Sequence, residues 1–356
     1  MRGTGAFIQD AVRRLAVYGL GAIAGAAAAR TGMPLPWMLG PFFAFAVLSA
    51  TGRSFPLLPL GREMAQIAVG LAIGLRFTAA SVVALGLLLP QMMLATVYLI
   101  CVTTLAAGLF RRLAGVDAVT AFFATAAGGV ADMAIIAQKF GGVASSVAVV
   151  HAMRMSMVVA VTPFVVLVAT GKFASGGAQA DPGQSPALAV AGALALAAVA
   201  AWAMRPTPIP NPWLVGPILA GMALGIAGLG NFVVPGRLIT MAQILLGVWL
   251  GCQFRRNLLT ALPRVTAAAV VAAGFLVLAA LLGAFAMSGL SSLPFTTAFL
   301  ALAPAAVTEM VLVAKVMSLD AETVAAFHVM RILIVSSTIL LVFRVYNLLR
   351  SVRSGS

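Results

Sequence analysis

Three kinds of ionisable residue recur in register along this chain, and together they make up one chemical kit. Asp132 is matched by Glu309, His151 by His328 and Arg154 by Arg331, each 177 positions apart. The two histidines of the protein both lie in a His-x-x-Arg element, His151-Ala152-Met153-Arg154 and His328-Val329-Met330-Arg331. A spacing of three puts imidazole and guanidinium on one face of a helix. One carboxylate, one imidazole and one guanidinium per half can bind an ion or an anionic solute, and histidine, which titrates near neutrality, can carry a proton. The structural alternative is a pair of clamps, with Asp132 neutralising Arg154 and Glu309 neutralising Arg331, or with the arginines snorkelling to an interface. Gln66 and Gln243, matched in the same way, either line the same cavity or hydrogen-bond between helices.

The surroundings of these groups follow from composition. Of 356 residues 62% are hydrophobic and 8% charged, against roughly 25% charged in an ordinary globular chain. So little charge cannot cover a water-facing surface, which excludes a soluble enzyme and a nucleic-acid-binding domain and makes lipid the solvent. The net charge of +14 comes from basic residues scattered singly or in pairs between apolar runs, as in cytoplasmic loops of membrane proteins. Cys101 and Cys252 sit inside apolar runs and imply no disulfide framework. Within the bilayer a central charge costs roughly 2.5–3.5 kcal/mol on insertion scales, so retained ions mark a pathway or a site.

The elements that must hold these groups are duplicated. Residues 120–154 and 297–331 share 14 identities in 35 positions without a gap. Pro36-Trp37-Met38-Leu39-Gly40-Pro41 matches Pro212-Trp213-Leu214-Val215-Gly216-Pro217, and Met64-Ala65-Gln66, Gly70 and Gly74 match Met241-Ala242-Gln243, Gly247 and Gly251. The reading is therefore a first membrane repeat over 1–170, an aqueous linker over 171–186 and a second repeat over 187–356. Six hydrophobic elements are expected in each: 12–29, 35–51, 61–77, 90–110, 118–138 and 143–170, then 187–204, 212–229, 237–254, 265–288, 295–315 and 321–346. The fifth of each carries a breaker at one repeat position, Gly128-Gly129 in the first half and Pro304 in the second. Interrupted backbone at membrane depth is tolerated only against protein or a watery cavity.

Loop charge chooses the topology. If all twelve elements cross from a cytoplasmic N-terminus, 12 loop Lys and Arg lie inside and 8 outside. If the fifth of each half is re-entrant, the division becomes 15 against 5, which the positive-inside tendency favours. The fold expected is an all-α polytopic membrane protein with two inverted repeats. Each has about five transmembrane helices plus one broken or re-entrant element, with both termini cytoplasmic.

Pro-Trp-x-x-Gly-Pro in each half, Met-Ala-Gln leading to Gly-x-x-x-Gly, Ala-Gly-Gly-Val-x-Asp-Met and His-x-x-Arg together resemble the AbrB family of bacterial inner-membrane proteins with an internal duplication. The resemblance covers roughly residues 12–350. It implies a regulator of AidB expression or, more loosely, an ammonia monooxygenase, and shares only a name with the small DNA-binding AbrB regulators. The duplicated organisation is also similar to cation/proton antiporter and anion transporter folds, a likeness that names no substrate. Three function classes follow. The residues favour a secondary transporter of a small, anionic solute coupled to H+ or Na+. A membrane-embedded regulator acting directly or through a transported metabolite is the alternative. Ammonia oxidation would need clustered metal ligands, which two histidines 177 residues apart do not supply. No catalysis, metal or cofactor is therefore expected. The expected partners are the lipid bilayer, a small-molecule or ion substrate and a second copy in a homodimer, with no nucleic acid.

Overall fold

The computed structural model describes residues 2–354 apart from 172–185, 208, 210, 231, 257–259 and 261, so the expected linker lies almost wholly outside the described residues. Among the described residues there is no strand. The helices of the first half are α1 (Arg2–Arg30), α2 (Pro36–Ala50), α3 (Gly61–Gly74), α4 (Ala79–Leu87), α5 (Leu89–Ala114), α6 (Ala118–Thr125), α7 (Val130–Lys139) and α8 (Ala144–Thr170). Those of the second are α9 (Ala187–Ala203), α10 (Pro212–Ile226), α11 (Gly236–Gly251), α12 (Pro263–Leu290), α13 (Phe295–Leu302), α14 (Val307–Val316) and α15 (Ala321–Ser354). Gln9–Arg30, Leu89–Ala114, Ala144–Thr170, Pro263–Leu290 and Ala321–Leu348 are long and apolar enough to span a bilayer, and α2, α9, α10 and α11 are shorter apolar helices. The protein is a polytopic all-α membrane protein.

The duplication reaches the helix ends. Both bounds of α6 and α7 recur in α13 and α14 at an offset of 177, and those of α2 recur in α10 at 176. The left-handed residues ahead of α2 and α10, Leu35 (φ 46°) and Asn211 (φ 58°), keep the same offset. The short α4 is a departure from the expected elements. It follows α3 at an angle of 93°, started by a reciprocal cap in which Thr78 N donates to Ser81 Oγ and Ser81 N to Thr78 Oγ1.

By contacts the chain divides into two compact units that cut across the repeats. One holds Met1–Val83, Ala160–Ala261 and Val311–Glu322, and the other Ala84–Val159, Leu262–Met310 and Thr323–Ser356. In the first unit the Gly-x-x-x-Gly faces of α3 and α11 lie on backbone. A Cβ on Gly70 would fall 2.8 Å from the Leu214 carbonyl oxygen, and one on Gly74 would clash with that of Ile218. Likewise Gly247 abuts the Met38 carbonyl, and a Cβ on Gly251 would lie 2.6 Å from that of Phe42. Small residues let helices approach this closely in lipid, where packing rather than hydrophobicity drives association.

These contacts also fix direction. Along α3 and α10 they rise together, 70 with 214 and 74 with 218, so the two helices run the same way. Along α11 and α2 the contacts rise together as well, 247 with 38 and 251 with 42, so each of these helices runs along the equivalent of its own chain neighbour. In the second unit α5 and its equivalent α12 are antiparallel: Arg264 Nε donates to the Leu113 carbonyl (3.0 Å) and Tyr98 Oη to that of Ala279 (2.7 Å). The halves are inverted repeats.

Inversion and the glycine contacts each give an expected outcome. Single cysteines replacing Arg53 and Arg256 will react with an impermeant thiol reagent from one side of the membrane and Arg76→Cys from the other; labelling of Arg53→Cys and Arg256→Cys from opposite sides contradicts inversion. Gly247→Ala will lower the melting temperature by several degrees, since overpacking costs about 1–3 kcal/mol. Gly192→Ala, where a Cβ meets nothing within 4 Å, will not.

Candidate functional site

The site of the second unit is built around the broken fifth element. Helix α6 starts at Asp117, whose carboxylate accepts from Thr120 N at 2.8 Å, an ordinary N-cap. It runs eight residues, roughly 12 Å, and stops at 126–129, where the Ala-Gly-Gly sequence offers little to hold a helix together. Helix α7 leads back: Val143 N donates to Thr120 Oγ1 at 2.8 Å, so the element's exit adjoins its entry. It is a re-entrant hairpin, and a helix of that length reaches less than half-way across a ~30 Å hydrocarbon layer. The second half repeats the interruption at 303–306 between α13 and α14.

A helix stopped at that depth leaves carbonyl groups without partners. The His-x-x-Arg elements supply donors. Arg154 on α8 donates through Nη1 to the carbonyls of Thr125 (2.9 Å) and Ala126 (2.8 Å), and its Nη2 faces His151 Nδ1 at 3.0 Å. Arg331 on α15 donates through Nη1 to Ala303 and Nη2 to Ala305, both at 2.9 Å, with His328 Nδ1 2.8 Å from Nη2. Each imidazole Nε2 meets the carbonyl three residues before the shared one, Phe123 at 3.0 Å and Leu300 at 2.8 Å. Two contacts define each ring: Nε2 carries the proton toward a carbonyl, while Nδ1 accepts from arginine. The histidines orient the guanidinium groups, and adding a proton at Nδ1 would set two donors against each other.

The opposite ends of the breaks carry acid. Asp132 lies in the first turn of α7, with Oδ2 2.8 Å from where a Cβ on Gly129 would stand, and Glu309 lies in the first turn of α14. Acid at a helix N-terminus and base at a C-terminus both complement the macrodipole. Arg154 thus serves the end of α6 and Asp132 the start of α7, and the ion pair considered for them does not form: among the described residues Asp132 has no ion-pair partner. The two halves then diverge, because Asp132 is exposed while Glu309 is 1% exposed. Gly128, Gly129 and Pro304 all fall inside the breaks.

Two further features bear on ligands. Arg154 and Arg331 are both buried and belong to the same compact unit. Their Nε atoms have no hydrogen-bond partner among the described residues. Space beside the first break is small, about 10 Å³ between Thr103, Phe122, Ala126 and Ile339. Gln66 and Gln243 are buried in the other unit. Spacing did not point to the backbone acceptors Thr125, Ala126, Ala303 and Ala305; the breakers themselves were the available signal.

Fold and site together define a polytopic membrane protein whose two helix interruptions are held by arginine. The chain belongs to the AbrB family: the family model described as "Transition state regulatory protein AbrB" matches residues 4–108 and 37–347. It is 28% identical over 242 residues to "Uncharacterized protein YhjN" of Bacillus subtilis (strain 168), a match covering 63% of this chain and 62% of that relative's length. No solved structure matches it.

Replacing Arg154 or Arg331 by Lys keeps the charge but not the planar fork. Each lost charge-assisted hydrogen bond costs about 1.5–3 kcal/mol, so both variants will melt several degrees lower in detergent. An unchanged melting temperature would show that the carbonyl contacts do not hold the breaks.

Proposed function

We propose that the protein is a secondary transporter of a small anionic solute, coupled to H+ or Na+ through Asp132, working in the bacterial inner membrane with both termini cytoplasmic. The observation that carries this reading is the pair of buried guanidinium groups in one compact unit, each with a buried Nε–H lacking a partner among the described residues. Two like charges in a medium of low dielectric repel strongly, and an anion received between them would relieve that repulsion and satisfy both donors. Inverted-repeat transporters place their solute near the midplane, against half-helix ends of this kind. The small space beside the first break means that a solute enters only when the surrounding helices move apart, which alternating access provides. The exposed Asp132, unlike the buried Glu309, is reachable by a coupling ion. Nothing in this scheme makes or breaks a bond in the solute.

A second reading, regulation of gene expression, is favoured by the description of the family. A transported metabolite joins the two: the change in solute level would be the signal. A direct regulator would keep its effect on expression when transport is lost.

The test is a thermal-shift screen of purified protein against small organic acids, amino acids, ammonium and Na+, followed by uptake of any hit into proteoliposomes. Asp132→Asn will abolish uptake while its melting temperature stays within about 2 °C of wild type, as expected of an exposed position. Full uptake by Asp132→Asn excludes coupling through this carboxylate, and a collapse of its stability would make Asp132 a structural cap.

A further inference from the structure

The first compact unit contains a second basic feature that the transport scheme does not use. A cavity of about 270 Å³ lies where the ends of α2 and α11 meet, lined by Arg53, Arg255 and Arg256 together with Ser49 and Phe55. No carboxylate lines it. Among the described residues none of the three guanidinium groups has an ion-pair partner. Arg256 is drawn across Gly52, where an added Cβ would lie 3.4 Å from Cδ and 3.9 Å from Nη1. Gly52 holds φ +98°, a conformation that a side chain would strain.

Three positive charges around one concavity repel each other unless an anion enters; arginine's fork matches the oxygen pair of a phosphate, whose charge and three oxygens can engage more than one arginine. Ser49 in the lining is buried, and Phe55 supplies an apolar wall. The two helix ends that frame the cavity belong to apolar helices, which puts it at the boundary between hydrocarbon and water, where basic pockets between helices receive anionic headgroups.

We infer that this cavity is a binding site for a phosphate group, carried by a phospholipid headgroup or by a soluble phosphate compound. The experiment uses delipidated full-length protein in neutral detergent and follows its melting temperature during titration with phosphatidylglycerol, with phosphatidylcholine as the zwitterionic control, and with inorganic phosphate. Stabilisation by phosphatidylglycerol alone identifies the lipid source; stabilisation by inorganic phosphate, with competition between the two, identifies a soluble one. In either case the Arg53→Gln, Arg255→Gln, Arg256→Gln triple variant should bind the effective probe at least ten-fold more weakly. All three positions are exposed, so the triple variant should fold; Ser54→Glu, which sets a carboxylate at another lining position, gives an independent second test and should weaken binding likewise. The proposal is overturned if neither probe stabilises the wild type more than phosphatidylcholine does, or if both variants bind as tightly as the wild type.

Discussion

A helix that ends in the middle of a bilayer has carbonyl groups that water cannot reach, and every other feature of the second unit follows from how those groups are satisfied. An unsatisfied backbone group in hydrocarbon costs several kcal/mol. Here Arg154 and Arg331 supply the donors, and each histidine fixes its arginine while spending its own proton on the carbonyl three residues earlier. The cost runs the other way too, since a guanidinium buried without acceptors is more unfavourable still than the neutral carbonyls it serves. Break and arginine are therefore mutually dependent, which explains why breaker and His-x-x-Arg recur at one offset.

Duplication explains the remainder of the architecture. Inversion sets α5 antiparallel to α12, and it lets α3 lie along α10 as α11 lies along α2, with glycines on backbone at each crossing. The two halves are not identical at the site. The first break uses glycines and leaves its carboxylate exposed; the second uses Pro304 and buries Glu309. In the proposed transport, such a difference leaves a single accessible coupling carboxylate.

Much of this was legible in the residues. The offset of 177 and the two breaks could be argued from repeats and breakers, because breakers and arginines are sparse in an apolar chain and each carries information. The partners of the arginines were not legible. Charge complementarity pointed from Arg154 to Asp132, whereas the structure gives Arg154 the carbonyls of Thr125 and Ala126. Backbone acceptors belong to every residue, so no side-chain pattern singles them out. The bend into α4 was hidden for a similar reason: its Thr78–Ser81 cap is a pair of small polar residues that sequence alone cannot separate from a loop. Gln66 and Gln243 share a repeat position with each other but not a compact unit with the arginines, since contacts between distant segments decide that division.

The central claim is that arginine holds both helix interruptions open at membrane depth. The most direct measurement is an electron cryomicroscopy map of the protein in lipid nanodiscs, resolved well enough to place guanidinium groups. The account predicts interruptions at 126–129 and 303–306, with Arg154 within hydrogen-bond distance of Thr125 and Ala126 and Arg331 of Ala303 and Ala305. Continuous helices through either segment, or an arginine turned toward lipid, would contradict it.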